Sequence, residues 1–254
     1  MTHALFPARL PSRFTTDAPL MARTAAALAL LAIPLTLALL FDPRSLDGEN
    51  LWLKPLKFAV ALALYAGTLT WAARLLPLPV RAAGWMRTYS RIVVACIAIE
   101  QIWITGAAAF GLRSHYNDAQ PLMVAIYPLM GVTAVVLTSA AAVWGWHILR
   151  QAWSEIDRAI GWSFLATFAL TVPIAATLSQ APVTAAGLPP FGWTLQPGDL
   201  RPAHFLATHT MQVVPLTALA LAQLRTLPYG TGAVLTGLWA CVTLAAAAYG
   251  LGWL

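Results

Sequence analysis

The segment Asp199 to Pro215, "DLRPAHFLATHTMQVVP", places His204 and His209 at the head of an apolar run. A third histidine, His115, lies in "GLRSHYNDAQP", and Glu100 with Gln101 lies inside "CIAIEQIWITG". Imidazole and carboxylate together can ligate a divalent metal, exchange protons near neutral pH, or hydrogen-bond a small molecule. Five positions of regular helix turn through about 500°, so His204 and His209 point about 140° apart and cannot clasp one metal as an i, i+4 pair does. A metal site would draw on His115, His204 and His209 from separate segments. An open coordination position could then activate water, with Glu100 and His209 as the candidate catalytic groups. A b-type haem is a variant, with two imidazoles as axial ligands and Arg113 or Arg201 on the propionates.

Glu100 stands nine residues past Arg91 and thirteen before Arg113, which places it near the middle of an apolar segment. A charge at mid-bilayer costs about 2.5 to 3.5 kcal/mol on insertion scales, so a carboxyl there is either neutral or paired. It can carry a proton, ligate a cation, or simply hydrogen-bond a neighbouring helix. Lys57, Gln101, Arg113 and Gln212 complete the set as candidate ligand-binding groups. Lys54 sits at a span end, where lysine snorkels to the headgroups. Pro215 lacks an N–H and frees the carbonyl of Met211, so the helix should loosen beside His209 and Gln212.

The elements that must position these groups follow from composition. Of 254 residues, 59% are hydrophobic and 9% charged, against about 25% charged in soluble domains. Continuous Ala- and Leu-rich runs of about 20 residues recur along the whole chain, which fits helices rather than the alternating strands of a membrane barrel. The expected fold is all-α: one polytopic transmembrane helix bundle over 1–254. Its seven spans lie at about 24–41, 54–76, 91–111, 121–149, 160–178, 202–223 and 231–253. The first, after Arg9, Arg13 and Arg23, reads as a retained signal anchor. Pro34, Pro128, Pro173 and Pro215 fall inside spans and mark expected kinks. With the N-terminus cytoplasmic, ten of the 15 Lys and Arg residues fall inside and five outside. The positive-inside rule thus gives N-in, C-out in a bacterial inner membrane. The net charge of +6 is then topological, and no footprint of nucleic-acid binding accompanies it. Cys96 and Cys241 lie in apolar runs and read as buried free thiols. No internal repeat of the transporter kind appears. The apolar, proline-rich loop from Ser179 to Arg201 is either a lid over the bundle or an ordinary ordered connection.

Under this topology Lys57, Glu100, Gln101, Arg113, His115, His204, His209 and Gln212 all lie in the outer half. A pocket between spans two, three and six is expected, taking a metal, haem or small-molecule ligand. The run of motifs "LWLKPLKF", Glu100-Gln101, "RSHYN" and "RPAHFLATHTMQ" resembles a group of bacterial multi-pass membrane proteins. That resemblance implies a multi-pass fold and carries no mechanism. Three functions fit these residues. The first is a redox or hydrolytic ligand-binding centre. The second is a proton-coupled small-molecule transporter in which Glu100 takes up and releases a proton. The third is a structural or assembly subunit whose polar groups only join helices.

Overall fold

The computed structural model describes residues 17–115, 117, 120–178 and 192–254. Helix α1 (Pro19–Phe41) leads into a small antiparallel hairpin, β1 (Ser45–Leu46) and β2 (Glu49–Asn50). Helix α2 (Leu53–Ala72) follows, extended by a 3-10 turn over Ala73–Leu75, then the short α3 (Leu78–Ala82) and the long α4 (Gly84–Ala109). Helices α5 (Pro121–Leu149), α6 (Glu155–Leu178), α7 (Arg201–Thr208), α8 (Thr210–Leu224) and α9 (Thr231–Gly250) complete the order. The fold is an all-α bundle. Six helices are long and apolar enough to cross a membrane, or seven if α7 and α8 count as one bent span.

Proline near the first turn opens α1, α3, α5 and α7, where its missing N–H leaves no bond unmade. The hairpin turns at Asp47-Gly48 with φ of 54° and 83°. Two successive positive φ values are the type I′ geometry that an Asp-Gly pair favours.

Packing centres on Trp144 of α5 and Phe164 of α6, both fully buried, with Leu69, Ile97 and Met211 in the same cluster. Trp144 Nε1 donates to the Leu69 carbonyl at 3.2 Å, and Tyr65 Oη donates to the Leu137 carbonyl at 2.7 Å. These bonds tie α2 to α5 across the core. Helices α5 and α6 meet at glycines: a Cβ on Gly145 would lie 2.7 Å from the Gly161 carbonyl oxygen. Small residues allow that close backbone approach in membrane bundles. Outward-pointing Leu40, Ile102 and Leu216 are exposed, as befits a surface that meets lipid.

Several boundaries shift from the expected ones. The first span begins at Pro19 and the third at Gly84, while the last ends at Gly250. Arg9, Arg13 and most of the loop after Ser179 lie outside the described residues. Cys96 is buried, but Cys241 is exposed on α9. The four prolines sit inside continuous helices. The sharp break comes instead at His209, where α7 and α8 meet at 55°. Side chains take up carbonyls at this break. Thr210 Oγ1 donates to the Leu206 and Ala207 carbonyls at 3.1 and 2.9 Å, and Trp239 Nε1 of α9 donates to Leu206 at 3.0 Å. Backbone groups with such partners tolerate irregularity inside a membrane bundle.

Candidate functional site

Helix α2 presents Lys54, Lys57, Ala61 and Thr68 at spacings of three, four and seven residues, which keeps them on one stripe. The polar groups singled out from the sequence attach to this stripe at two levels.

The first group surrounds Glu100. Glu100 is 4% exposed and accepts a 2.6 Å hydrogen bond from Thr133 Oγ1 of α5. Lys54 is within electrostatic reach of it, yet among the described residues Glu100 forms no ion pair within 4.0 Å. Lys54 Nζ turns to His115 Nδ1 at 3.1 Å. Ser114 Oγ also lies 3.0 Å from that nitrogen. An ammonium can only donate, so His115 Nδ1 accepts and its proton sits on Nε2. Burial, then the Lys54 charge, pull the His115 pKa down to about 3. The loop that carries His115 is held down by Trp103 Nε1, which donates to the Ser114 carbonyl at 2.7 Å. Tyr127 meets the His115 ring edge-on at 5.5 Å. Gln101, 3% exposed, donates to the Pro55 carbonyl at 3.2 Å and to Thr105 Oγ1 at 3.0 Å, while its Oε1 has no partner among the described residues.

The second group lies at the α7–α8 break. Gln212 Nε2 donates to Thr68 Oγ1 at 3.0 Å, which joins α8 to α2. The Gln212 side chain also hydrogen-bonds with the His209 ring. His204 is within electrostatic reach of His209. The Phe205 and His209 rings stand 4.2 Å apart, and Trp193 meets Phe205 at 5.1 Å.

Above both groups, ion pairs tie the connecting loops together. Arg113 clasps Asp47 at the hairpin tip through 2.8 and 2.6 Å bonds. Glu49 faces Lys57 at 4.0 Å, and a Cβ on Gly192 would run into the Glu49 carboxylate. Asp199 accepts from Arg201 Nε and Nη2, both at 2.8 Å, and from the Thr194 N–H at 2.8 Å. Burial opposes the Asp199 charge, but Arg201 and the Thr194 N–H outweigh it and hold the carboxyl below its usual range. Arg44, then the Trp52 indole, hold Asp42 well below the usual carboxylate range at the hairpin's base. The hairpin therefore links the loop after α4, the start of α2 and the loop before α7 at one end of the bundle.

The expected meeting of spans two, three and six is realised in part. Helix α2 touches both groups, but among the described residues no hydrogen bond or ion pair joins α4 to α7 or α8. His115 and the pair His204 and His209 stand in different groups. Accordingly, no cluster of three or more His, Cys, Asp or Glu side chains fit to hold a metal occurs among the described residues. Arg113 serves the hairpin rather than Glu100. Lys54, expected to snorkel, instead points at His115. Thr133, Thr68 and Glu49 were not singled out from sequence. Thr133 carried a signal as a hydroxyl in the otherwise apolar middle of α5. Comparison with family models, with curated proteins and with solved structures finds no match.

Proposed function

We propose that this chain is a seven-span protein of the bacterial inner membrane, N-terminus inside, that couples binding of a small polar solute to proton exchange at Glu100. The hairpin end then faces outward. One observation carries the proposal: Glu100, Lys54 and His115 form a string of ionisable groups from mid-span to the hairpin-end loop. A buried carboxyl held by one hydroxyl, with an ammonium near but not paired, can change partner when a solute or a proton arrives. The seventh crossing is supported by α9: the Gly232 N–H at its start donates to Glu155 at 3.0 Å, and the Gly250 carbonyl at its end accepts from Gly198 at 2.7 Å. Residues 155 and 198 thus lie at opposite ends of the bundle, and α7 with α8 must run the length between them.

The test is proton movement into proteoliposomes that enclose a pH-sensitive dye, after external acidification in the presence of mixed amino acids, sugars and organic acids. Wild-type protein should acidify the interior faster than empty vesicles, and Glu100→Gln should not. Equal rates for wild type and Glu100→Gln would overturn the proposal.

A further inference from the structure

The end of the bundle opposite the hairpin carries more cations than its own carboxylates meet. Contacts define that end. Asp17 pairs with Arg81, Gln151 Nε2 donates to the Leu75 carbonyl at 2.5 Å, and the Trp85 and His147 rings stand 5.9 Å apart. The carboxylates there are all engaged. Asp17 holds Arg81, Glu155 holds Arg158 and the Gly232 N–H, and Asp157 accepts from the Trp153 and Ser154 N–H groups. Residues 1–16 hold no Asp or Glu. Arg87 and Arg91 of α4 make no ion pair or side-chain hydrogen bond among the described residues. Both are exposed, and their four-residue spacing stacks them on one face of the helix. Arg87 turns back toward the helix start: a Cβ on Gly84 would lie 3.9 Å from Arg87 Nη2. Glu100, nine residues beyond Arg91, points about 180° away around α4, so it does not neutralise the pair.

Depth, and the face below the arginines, select the partner. Trp85 is 50% exposed, and its amphipathic ring suits the membrane interface. Arg91 lies six residues, about 9 Å, further along α4 at 1.5 Å per residue, where a guanidinium without a counter-charge is costly. The same face continues through Ala95, Ala98 and Ile102 at spacings of four, three and four residues, and all three are exposed. Arg91 to Ile102 covers about 16 Å, close to the hydrocarbon depth of one leaflet. The small side chains of Ala95 and Ala98 leave a shallow track beside the exposed Ile92 and Ile99. Guanidinium binds phosphate oxygens through paired N–H donors. A free phosphate would satisfy the arginines and leave the track bare, whereas a phospholipid meets both. A headgroup without an ammonium brings nothing to oppose the two positive charges. We infer that Arg87 and Arg91 bind the headgroup phosphate of an anionic phospholipid, with one acyl chain along Ala95, Ala98 and Ile102. This lipid site lies apart from Glu100 and does not rest on proton exchange there.

The test is native mass spectrometry of the delipidated full-length protein in detergent, titrated with phosphatidylglycerol and separately with phosphatidylcholine of the same chains. Wild type should take its first phosphatidylglycerol at least about tenfold more tightly than its first phosphatidylcholine. The double variant Arg87→Gln, Arg91→Gln should lose at least about fivefold in phosphatidylglycerol affinity. The double variant Arg23→Gln, Arg225→Gln removes the same charge from the same end and should lose less than about twofold, because these arginines do not sit above the track. Ala98→Trp fills the track on an exposed face, and should weaken phosphatidylglycerol binding at least about threefold with both arginines intact. Thermal unfolding midpoints show that each variant folds. Equal binding of the two lipids by wild type would overturn the inference, as would equal losses in the two double variants, the mark of a diffuse attraction. Displacement of phosphatidylglycerol by inorganic phosphate would also overturn it, as would a protein dimer that competes with the lipid and is lost in Arg87→Gln, Arg91→Gln. Unchanged binding in Ala98→Trp would overturn the placement of the acyl chain. If a double variant fails to fold, the comparison of lipids on wild type and the Ala98→Trp result still decide.

Discussion

Replacing His115 by Gln should change how stability responds to acid. In the folded protein, burial and the Lys54 ammonium keep His115 from taking a proton until about pH 3. The unfolded chain takes that proton at about pH 6.5. Between those values the unfolded state binds more protons, so stability falls as pH falls, and the full contribution of the neutral ring is present only above about pH 6.5. Each pH unit in this window is worth about 1.4 kcal/mol. From about pH 6.5 to about pH 4.5 the loss approaches about 2.7 kcal/mol, trimmed toward about 2 kcal/mol because the ring is only partly buried. Gln keeps an acceptor for Lys54 but does not titrate. Unfolding in detergent, followed by circular dichroism across this range, should therefore show wild type losing about 2 kcal/mol relative to His115→Gln. Other carboxylates titrate in both proteins and cancel. Curves that stay parallel would refute the placement of a half-buried, unprotonated imidazole against Lys54.

Other outcomes follow from packing and from the helix break. Gly145→Leu should destabilise the bundle by about 3 kcal/mol, the upper end for overpacking, because its Cβ would meet backbone atoms of Gly161 and Leu165 that cannot rotate aside; thermal unfolding in detergent reads this directly. Thr210→Val keeps the side chain's shape but removes the donor to the Ala207 carbonyl, at a cost of about 1 to 2 kcal/mol. Hydrogen exchange should then quicken around residues 206–211 and stay unchanged in α5; protection that does not alter would argue that the hydroxyl does not hold the bend.

The helices were legible because lipid demands long, unbroken apolar runs, and α1, α2, α4, α5, α6 and α9 all meet that demand on composition alone. Glu100 stood out for the same reason, since a charge is costly where it lies. The hairpin was equally legible in principle: Asp47-Gly48 between Leu46 and Glu49 is a strong two-residue turn signal, but it hides in a short connection between spans. The break at His209 was legible in place but not in form. Pro215 pointed to a loosened helix beside His209, but a 55° bend there, with carbonyls taken up by the Thr210 hydroxyl and by Trp239 from another helix, could not be read from one segment. Nor could periodicity divide the imidazoles between two groups. Lys54 was misjudged because snorkelling is the default at a span end, and only the position of His115 against α2 gives its ammonium an inward partner.

The most direct test of the central claim is infrared difference spectroscopy of the protein in uniformly oriented proteoliposomes. The external pH is stepped with an impermeant buffer while the internal pH is clamped. If Glu100 exchanges protons with the hairpin-end face, the stretch of a protonated buried carboxyl should respond to the external step and be missing from Glu100→Gln. A carboxyl signal that ignores external pH, or that survives in Glu100→Gln, would contradict the account.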